Sequence, residues 1–260
     1  MRLLDSITSI IIPVCNSEEY LTETLESITK QTHQALEIIA IDDASKDASF
    51  LILKKYQKID KRIKVYKNKK RYGLSTCYNR ALKRAKGKYV TFMNPKDVNS
   101  LHRIGRQVLF LEKNTKTAGV GTQYTEIDSK GRKFDKSRLP LTHDEIYKSL
   151  ISNPTLRFET VMLNRFLLPK DSIRFTSDLY PHLFTDLFLN LSQYGKFANI
   201  DQNLYFLRKE TKYKLKKQKQ LDYFMSYIQL WIKSIAVYDY RPSLRSLLTT
   251  FSSIKSATVK

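Results

Sequence analysis

Over the first 115 residues, short apolar runs rich in β-branched residues alternate with longer stretches in which apolar residues return every three or four positions. Ser9-Ile10-Ile11-Ile12-Pro13 predicts a buried strand that the proline ends, because proline has no N–H for a sheet ladder. From Glu18 to Thr32, Tyr20, Leu21, Leu25 and Ile28 fall at helical spacing. Ala35 to Ile41 predicts a second strand, closed by the polar Asp42-Asp43-Ala44-Ser45. A helix from Ala48 to about Ile59, a strand over Ile63–Tyr66, a helix over Ser75–Ala85 and a strand over Lys88–Met93 complete the alternation. Such alternation predicts an α/β architecture, a mostly parallel sheet with helices on both faces. Ligands of such sheets sit at the carboxyl ends of the strands. The loops over 13–19, 42–47, 67–75 and 94–99 are therefore expected to carry the site.

Past Thr117 the pattern loosens. Ala118–Ile127 predicts a strand, Asp128-Ser129-Lys130-Gly131 a tight turn, 142–151 and 178–194 helices, and Phe197–Leu207 another strand. Arg208 to Lys219 holds seven basic residues in twelve and is expected to be a solvated connection, followed by helices over Leu221–Val237 and Pro242–Lys255. The last of these places Leu244, Leu247, Leu248, Phe251 and Ile254 on one side. That amphipathic face suits either packing onto the domain or lying on an anionic membrane. No apolar run reaches the length of a membrane span, and the start lacks the features of a secretory signal. A cytoplasmic protein is expected, peripheral at the inner face of the membrane if the tail lies on lipid.

Lys and Arg number 46 against 25 Asp and Glu, a formal net charge of +21. A charge of that size points to an anionic partner, whether nucleotide, nucleic acid or acidic membrane. Nucleic acid is disfavoured, since only Lys212-Tyr213-Lys214 interleaves an aromatic with bases in the way single strands need. The two cysteines, Cys15 and Cys77, fit a reducing compartment rather than a disulfide scaffold. Four scattered histidines show no zinc spacing, and neither a GxxxxGK[ST] loop nor a GxGxxG turn is present.

The loops themselves are more specific. The run Ser9 to Leu21 resembles the opening of family 2 glycosyltransferases, a strand followed by Pro-x-Tyr-Asn and an acidic residue. Ser27 to Thr32 is similar to the end of that family's first helix. Glu37 to Asp47 is similar to its Asp-Asp-x-Ser-x-Asp turn, and Gly73 to Asn79 to its Gly-Leu-Ser-x-x-Arg-Asn helix start. Gly87–Met93, then Leu101-His102-Arg103, Gln107 and Phe110-Leu111-Glu112, continue the likeness. It covers about residues 7–115 strongly and 116–208 weakly. The resemblance implies a GT-A fold, a Rossmann-like sheet flanked by helices. In this chain it would occupy 1–208, with a nucleotide-binding half (1–115) and an acceptor half (116–208). The basic connection and C-terminal helices would form an appendage over 209–260.

By activity, the resemblance implies inverting transfer of a sugar from a nucleotide diphosphate, UDP-linked, to a glycan, lipid or protein acceptor. Asp43, with Asp42 beside it, would accept the imide N–H of uracil. Alternatively Asp42 and Asp47 cap the next helix. Pro13 and Val14 would offer backbone groups to the base. Glu19 would reach ribose or base, or serve as a first-turn carboxylate. Asn16 and Asn79 would organise loop and helix starts, and Gly73 would supply a glycine-only backbone shape.

Departures from the family pattern bear on the chemistry. Where the family's fourth strand ends Leu-Asp-x-Asp-Asp and holds a divalent metal, this chain reads Met93-Asn94-Pro95-Lys96-Asp97. Asp97 is the one carboxylate left there for Mn²⁺ or Mg²⁺, and an ammonium at Lys96 repels a cation by about 1–4 kcal/mol at 4 Å. Lys96, with Lys69, Lys70 or Arg71, is expected to meet the diphosphate instead. Tyr78 stands at the phosphate-facing arginine and Cys15 at the stacking tyrosine. The catalytic-base motif aligns with Leu183-Phe184, which leaves Asp186 as the candidate base, with His182 as a further proton acceptor. Two outcomes stay open: a working transferase, or a degenerate relative that binds nucleotide, glycan or a partner transferase without turnover.

Overall fold

The computed structural model describes residues 6–151, 155–176, 182–209 and 217–241. Strands β1 (Thr8–Val14), β2 (Leu36–Asp42), β3 (Ile63–Lys67) and β4 (Tyr89–Phe92) alternate with helices α1 (Glu18–Thr29), α2 (Ser49–Ile59) and α3 (Leu74–Leu82). There follow β5 (Val98–Asn99), α4 (Arg103–Lys113), β6 (Thr117–Ile127), β7 (Lys133–Lys136) and α5 (His143–Ser149). A single 3₁₀ turn (Phe158–Thr160), β8 (Met162–Asn164), α6 (Leu183–Leu191), β9 (Lys196–Arg208) and α7 (Lys217–Ala236) complete the described chain. The sheet runs β3-β2-β1-β4-β8-β6-β9-β5, with β7 added to β6. Its first four strands are parallel, and β8 is antiparallel to both β4 and β6.

The β-branched runs are explained by burial on two faces, as expected for central parallel strands. Ile11, Ile39 and Ile41 point into a core shared with α3, α5, α6 and α7. Ile10, Ile12 and Ile38 point the other way, into a core shared with α1, α2 and α4. The strand does not stop at Pro13. It runs on to Val14, opposite Asp42 of β2, because pairing with β4 has already ended at Ile11 and no ladder bond is asked of the proline nitrogen on that side.

Two expectations change in the C-terminal part. Arg208 is the last residue of β9, not the start of a solvated link. Its side chain is 3% exposed and bonds the carbonyls of Lys96, Asp128 and Ser129. Helix α7 begins at Lys217, and Tyr227, Leu230, Tyr238 and Tyr240 join the same core as Ile11 and Phe92. The tail helix expected over Pro242–Lys255 lies outside the described residues. Among the described residues, no helix is long and apolar enough to cross a membrane.

Candidate functional site

The carboxyl ends of β1, β2 and β3 are bound into one rim by short polar side chains. Asp43, one residue past β2, is 4% exposed. Its Oδ1 accepts from Asn68 Nδ2 (2.7 Å) and the Tyr72 N–H (2.9 Å), and its Oδ2 from the Gly73 N–H (2.8 Å). The buried Cys77 thiol is a fourth donor to the same carboxylate, which fills its roughly four lone-pair sites. Burial works against the ionised form. The Tyr72, Asn68 and Gly73 donors outweigh it and hold the Asp43 carboxyl below its usual range. Gly73 sits at φ +86°, where glycine is at ease and other residues are strained. That backbone turn aims its N–H at Asp43.

Neighbouring polar residues fix the two loops to each other. Asn16 accepts the Lys46 N–H (2.8 Å) and donates its own N–H to Ser45 Oγ. Asp47 accepts the Glu18 N–H, and Glu18 in return accepts that of Ala48 (2.7 Å). The engaged first-turn carboxylate is thus Glu18, while Glu19 lies exposed beside it. Asp42 is fully buried and takes the Ser45 N–H on Oδ2 at 3.4 Å. Its Oδ1 has no hydrogen-bond partner among the described residues. Cys15 lies 3.7 Å from the Asp43 carbonyl. Burial pushes its thiol up while the Arg71 charge pulls it down. Lys70 and Arg71 are exposed, and Arg80 covers the Tyr72 ring at 4.4 Å while it bonds Asn68. Sequence reasoning passed over Asn68 and Arg80, which lie 25 and 37 positions beyond Asp43 and carry no motif of their own.

At the end of β4, the 94–97 turn is tied inward. Asn94 Oδ1 accepts the Lys96 N–H (3.1 Å). Both Asp97 oxygens are engaged, Oδ2 by the Tyr205 hydroxyl (2.7 Å) and Oδ1 by the Arg208 N–H (2.8 Å). Burial raises the Asp97 carboxyl to about 7. An amide, an ammonium and a buried carboxyl already bonded twice do not suit a divalent cation, which needs six or more oxygen ligands. Among the described residues, no group of three or more His, Cys, Asp or Glu could hold a metal. Behind this turn, Arg103 is fully buried. It donates to Asn99 Oδ1 (2.7 Å), Thr91 Oγ1 (2.9 Å) and the Glu159 carbonyl (2.6 Å), and so clamps the 3₁₀ turn to the end of β4.

Beyond β4 the materials change. Tyr78 does not line a polar surface; its ring lies among Phe92 (5.3 Å), Phe158 (5.4 Å), Phe175 (4.7 Å) and Phe184 (6.2 Å). Phe158 and Phe184 stack at 3.8 Å and 10°. Asp186 is bound by Lys233 Nζ of α7 (2.8 Å) and by the hydroxyl of Tyr238, just past that helix (2.8 Å). His182 rests its ring on Tyr227. A cavity of about 210 Å³ opens beside these rings, lined in part by Leu156, Arg157, Phe158, Glu159, Phe184 and Thr185.

The chain matches glycosyl transferase family 2 over residues 9–171. It belongs to that family. It is 30% identical over 208 residues to an uncharacterized glycosyltransferase of Haemophilus influenzae, covering 76% of this chain and 64% of the relative. It is 32% identical over 162 residues to the putative teichuronic acid biosynthesis glycosyltransferase TuaG of Bacillus subtilis, covering 61% and 62%. The chain thus spans less than two thirds of the length of these curated relatives. The family 2 fold is confirmed at the level of structure. S. aureus TarS 1–349 in complex with UDP-GlcNAc superposes with a TM-score of 0.71 at 19% identity, covering 96% of this chain and 72% of that one. The mannosyltransferase PcManGT of Pyrobaculum calidifontis, in complex with GDP-Man and Mn²⁺, gives 0.60 at 14% identity, covering 96% and 74%. The architecture of this family 2 chain is therefore GT-A.

Proposed function

We propose that this chain is a nucleotide-sugar-dependent glycosyltransferase that binds a UDP-linked donor at the ends of β1 and β2. Its acceptor would be a glycan, lipid or protein, such as a growing cell-surface polysaccharide. The observation that carries the reading is the Asp43 rim. The Asp43 carboxylate ties the loop after β2 to the loop after β3, and its backbone N–H bonds the Val14 carbonyl at the end of β1 (2.7 Å), so one residue joins the three strand ends at which the base would be received. The UDP-GlcNAc complex of TarS and the name of TuaG support the choice of uridine and of a surface polymer. Pro13 and Val14 would meet the base with backbone groups, and Glu19 stands exposed at the ribose side. A departing diphosphate carries developing negative charge that positive groups must stabilise. The cations on the rim, Lys70 and Arg71, together with Lys96 on the β4 turn, would do so in place of a metal.

A second reading is favoured by the stack of Phe158 on Phe184 and by the engagement of Asp186 with Lys233 and Tyr238. On that reading the chain binds the nucleotide sugar, a glycan or a partner transferase without turnover. Calorimetry with UDP and UDP-sugars, with and without EDTA, tests the first reading. Binding should survive EDTA and fall at least tenfold in Lys96→Ala. Binding that EDTA abolishes would return the site to a metal.

A further inference from the structure

We propose that Glu159 is the proton acceptor of the transfer reaction, a role that rests on the nucleotide-sugar reading above. The 3₁₀ turn that carries it lies at the carboxyl edge of the sheet. Thr91 of β4 pairs with Met162 of β8, which puts residues 158–160 just past the end of β4, on the same edge as Asp43. The turn is rigid there. Arg103 holds the Glu159 carbonyl to Thr91 and Asn99, and Gln107 holds the Thr160 carbonyl at 2.8 Å.

The carboxylate itself is partly covered, with 13% of its side chain exposed, and it lines the 210 Å³ cavity. Among the residues that line this cavity, Glu159 is the one acid. Arg157 stands beside it, with Nε 2.8 Å from Oε2 and a terminal nitrogen 3.2 Å from Oε1. That contact orients the carboxylate. After burial, the negative charge of Glu159 is the next influence that pushes the Tyr78 phenol upward, and it acts on Asp97 as well. Glu159 therefore sits between the β4 turn and the α3 face. Asp186, whose oxygens are bonded by Lys233 and Tyr238, is not among the residues that line this cavity.

The chemistry balances with one base. An acceptor hydroxyl enters the cavity and gives its proton to a Glu159 oxygen as its own oxygen bonds to the anomeric carbon. The bond from that carbon to the diphosphate breaks, and the leaving UDP takes the electron pair. Water in the cavity would follow the same route and hydrolyse the donor.

The test uses the full chain with UDP-glucose, UDP-galactose and UDP-N-acetylglucosamine, and follows affinity by calorimetry and UDP release as turnover. Glu159→Gln should keep donor affinity within about twofold and lose about a hundredfold or more in kcat, the range for removing a general base. Glu159→Asp should lie between, with an unchanged thermal midpoint. Wild-type turnover in Glu159→Gln would overturn the proposal. So would a wild-type protein that binds a donor and never releases UDP, an outcome that leaves nucleotide-sugar binding intact. So would loss of donor binding in both variants, which would make Glu159 a binding or packing residue. A wild-type protein that binds none of the three donors sinks the nucleotide-sugar reading first and Glu159 with it.

Discussion

At the ends of β1 and β2 the site is fastened by polar side chains on backbone groups. Asp43 takes three N–H donors, Asn16 and Asp47 cross-link two loops, and Asn68 joins Asp43 to Arg80. Past β4 the same edge is filled by rings: Phe92, Phe158, Phe184, Phe175 and Tyr78. The two regions are stabilised by different quantities. A polar rim depends on matched donors and acceptors, an aromatic cluster on filled volume. On the proposed reading, recognition is concentrated on one side of β4. On the same reading, chemistry on the other side falls to Glu159, held by Arg157 at the margin of the rings.

Removing a ring should break the second region and spare the first. Phe158→Ala deletes the side chain that stacks on both Phe92 and Phe184, at a cost of about 3–5 kcal/mol. Chemical denaturation should show that loss, while UDP affinity of the folded fraction stays unchanged. A loss of affinity equal to the loss of stability would mean that the two regions are one unit.

A smaller effect is expected from Asp97, the hinge between them. Its folded-state carboxyl is raised by burial to about 7 from an ordinary 3.8, so the folded protein holds a proton that the unfolded chain gives up. Its contribution to stability is complete below about 4, declines as pH rises, and is gone above about 7. The difference in unfolding free energy between wild type and Asp97→Asn should therefore drift across that window. A difference that is flat with pH would show that Asp97 is ionised when folded.

Much of the fold could be read from the chain. Ile10–Ile12 and Ile38–Ile41 are continuous apolar runs because both faces of their strands are covered, and that burial writes itself into residue type. The apolar run placed Asp43 at the carboxyl end of a strand, and the resemblance to the family's Asp-Asp-x-Ser-x-Asp turn singled it out. Arg103 was visible within a motif, yet its role depends on Thr91 and on Glu159, 56 positions away, and no local pattern encodes that pairing. Arg208 looked solvated because its sequence neighbours are basic. Its burial follows from the carbonyls of Asp128 and Ser129, brought to it by the β6–β9 pairing, and of Lys96, brought by the β5–β9 pairing. Glu159 lies in Thr155-Leu156-Arg157-Phe158-Glu159-Thr160, which matches none of the family motifs quoted for this chain.

The central claim is that the Asp43 rim receives a uridine nucleotide, and a titration of Asp43→Ala with UDP tests it most directly. The variant should keep its fold and lose about 1–3 kcal/mol of binding, the range for a hydrogen bond to a charged group, with EDTA making no difference to either protein. A folded Asp43→Ala variant that binds UDP as tightly as wild type would contradict the account.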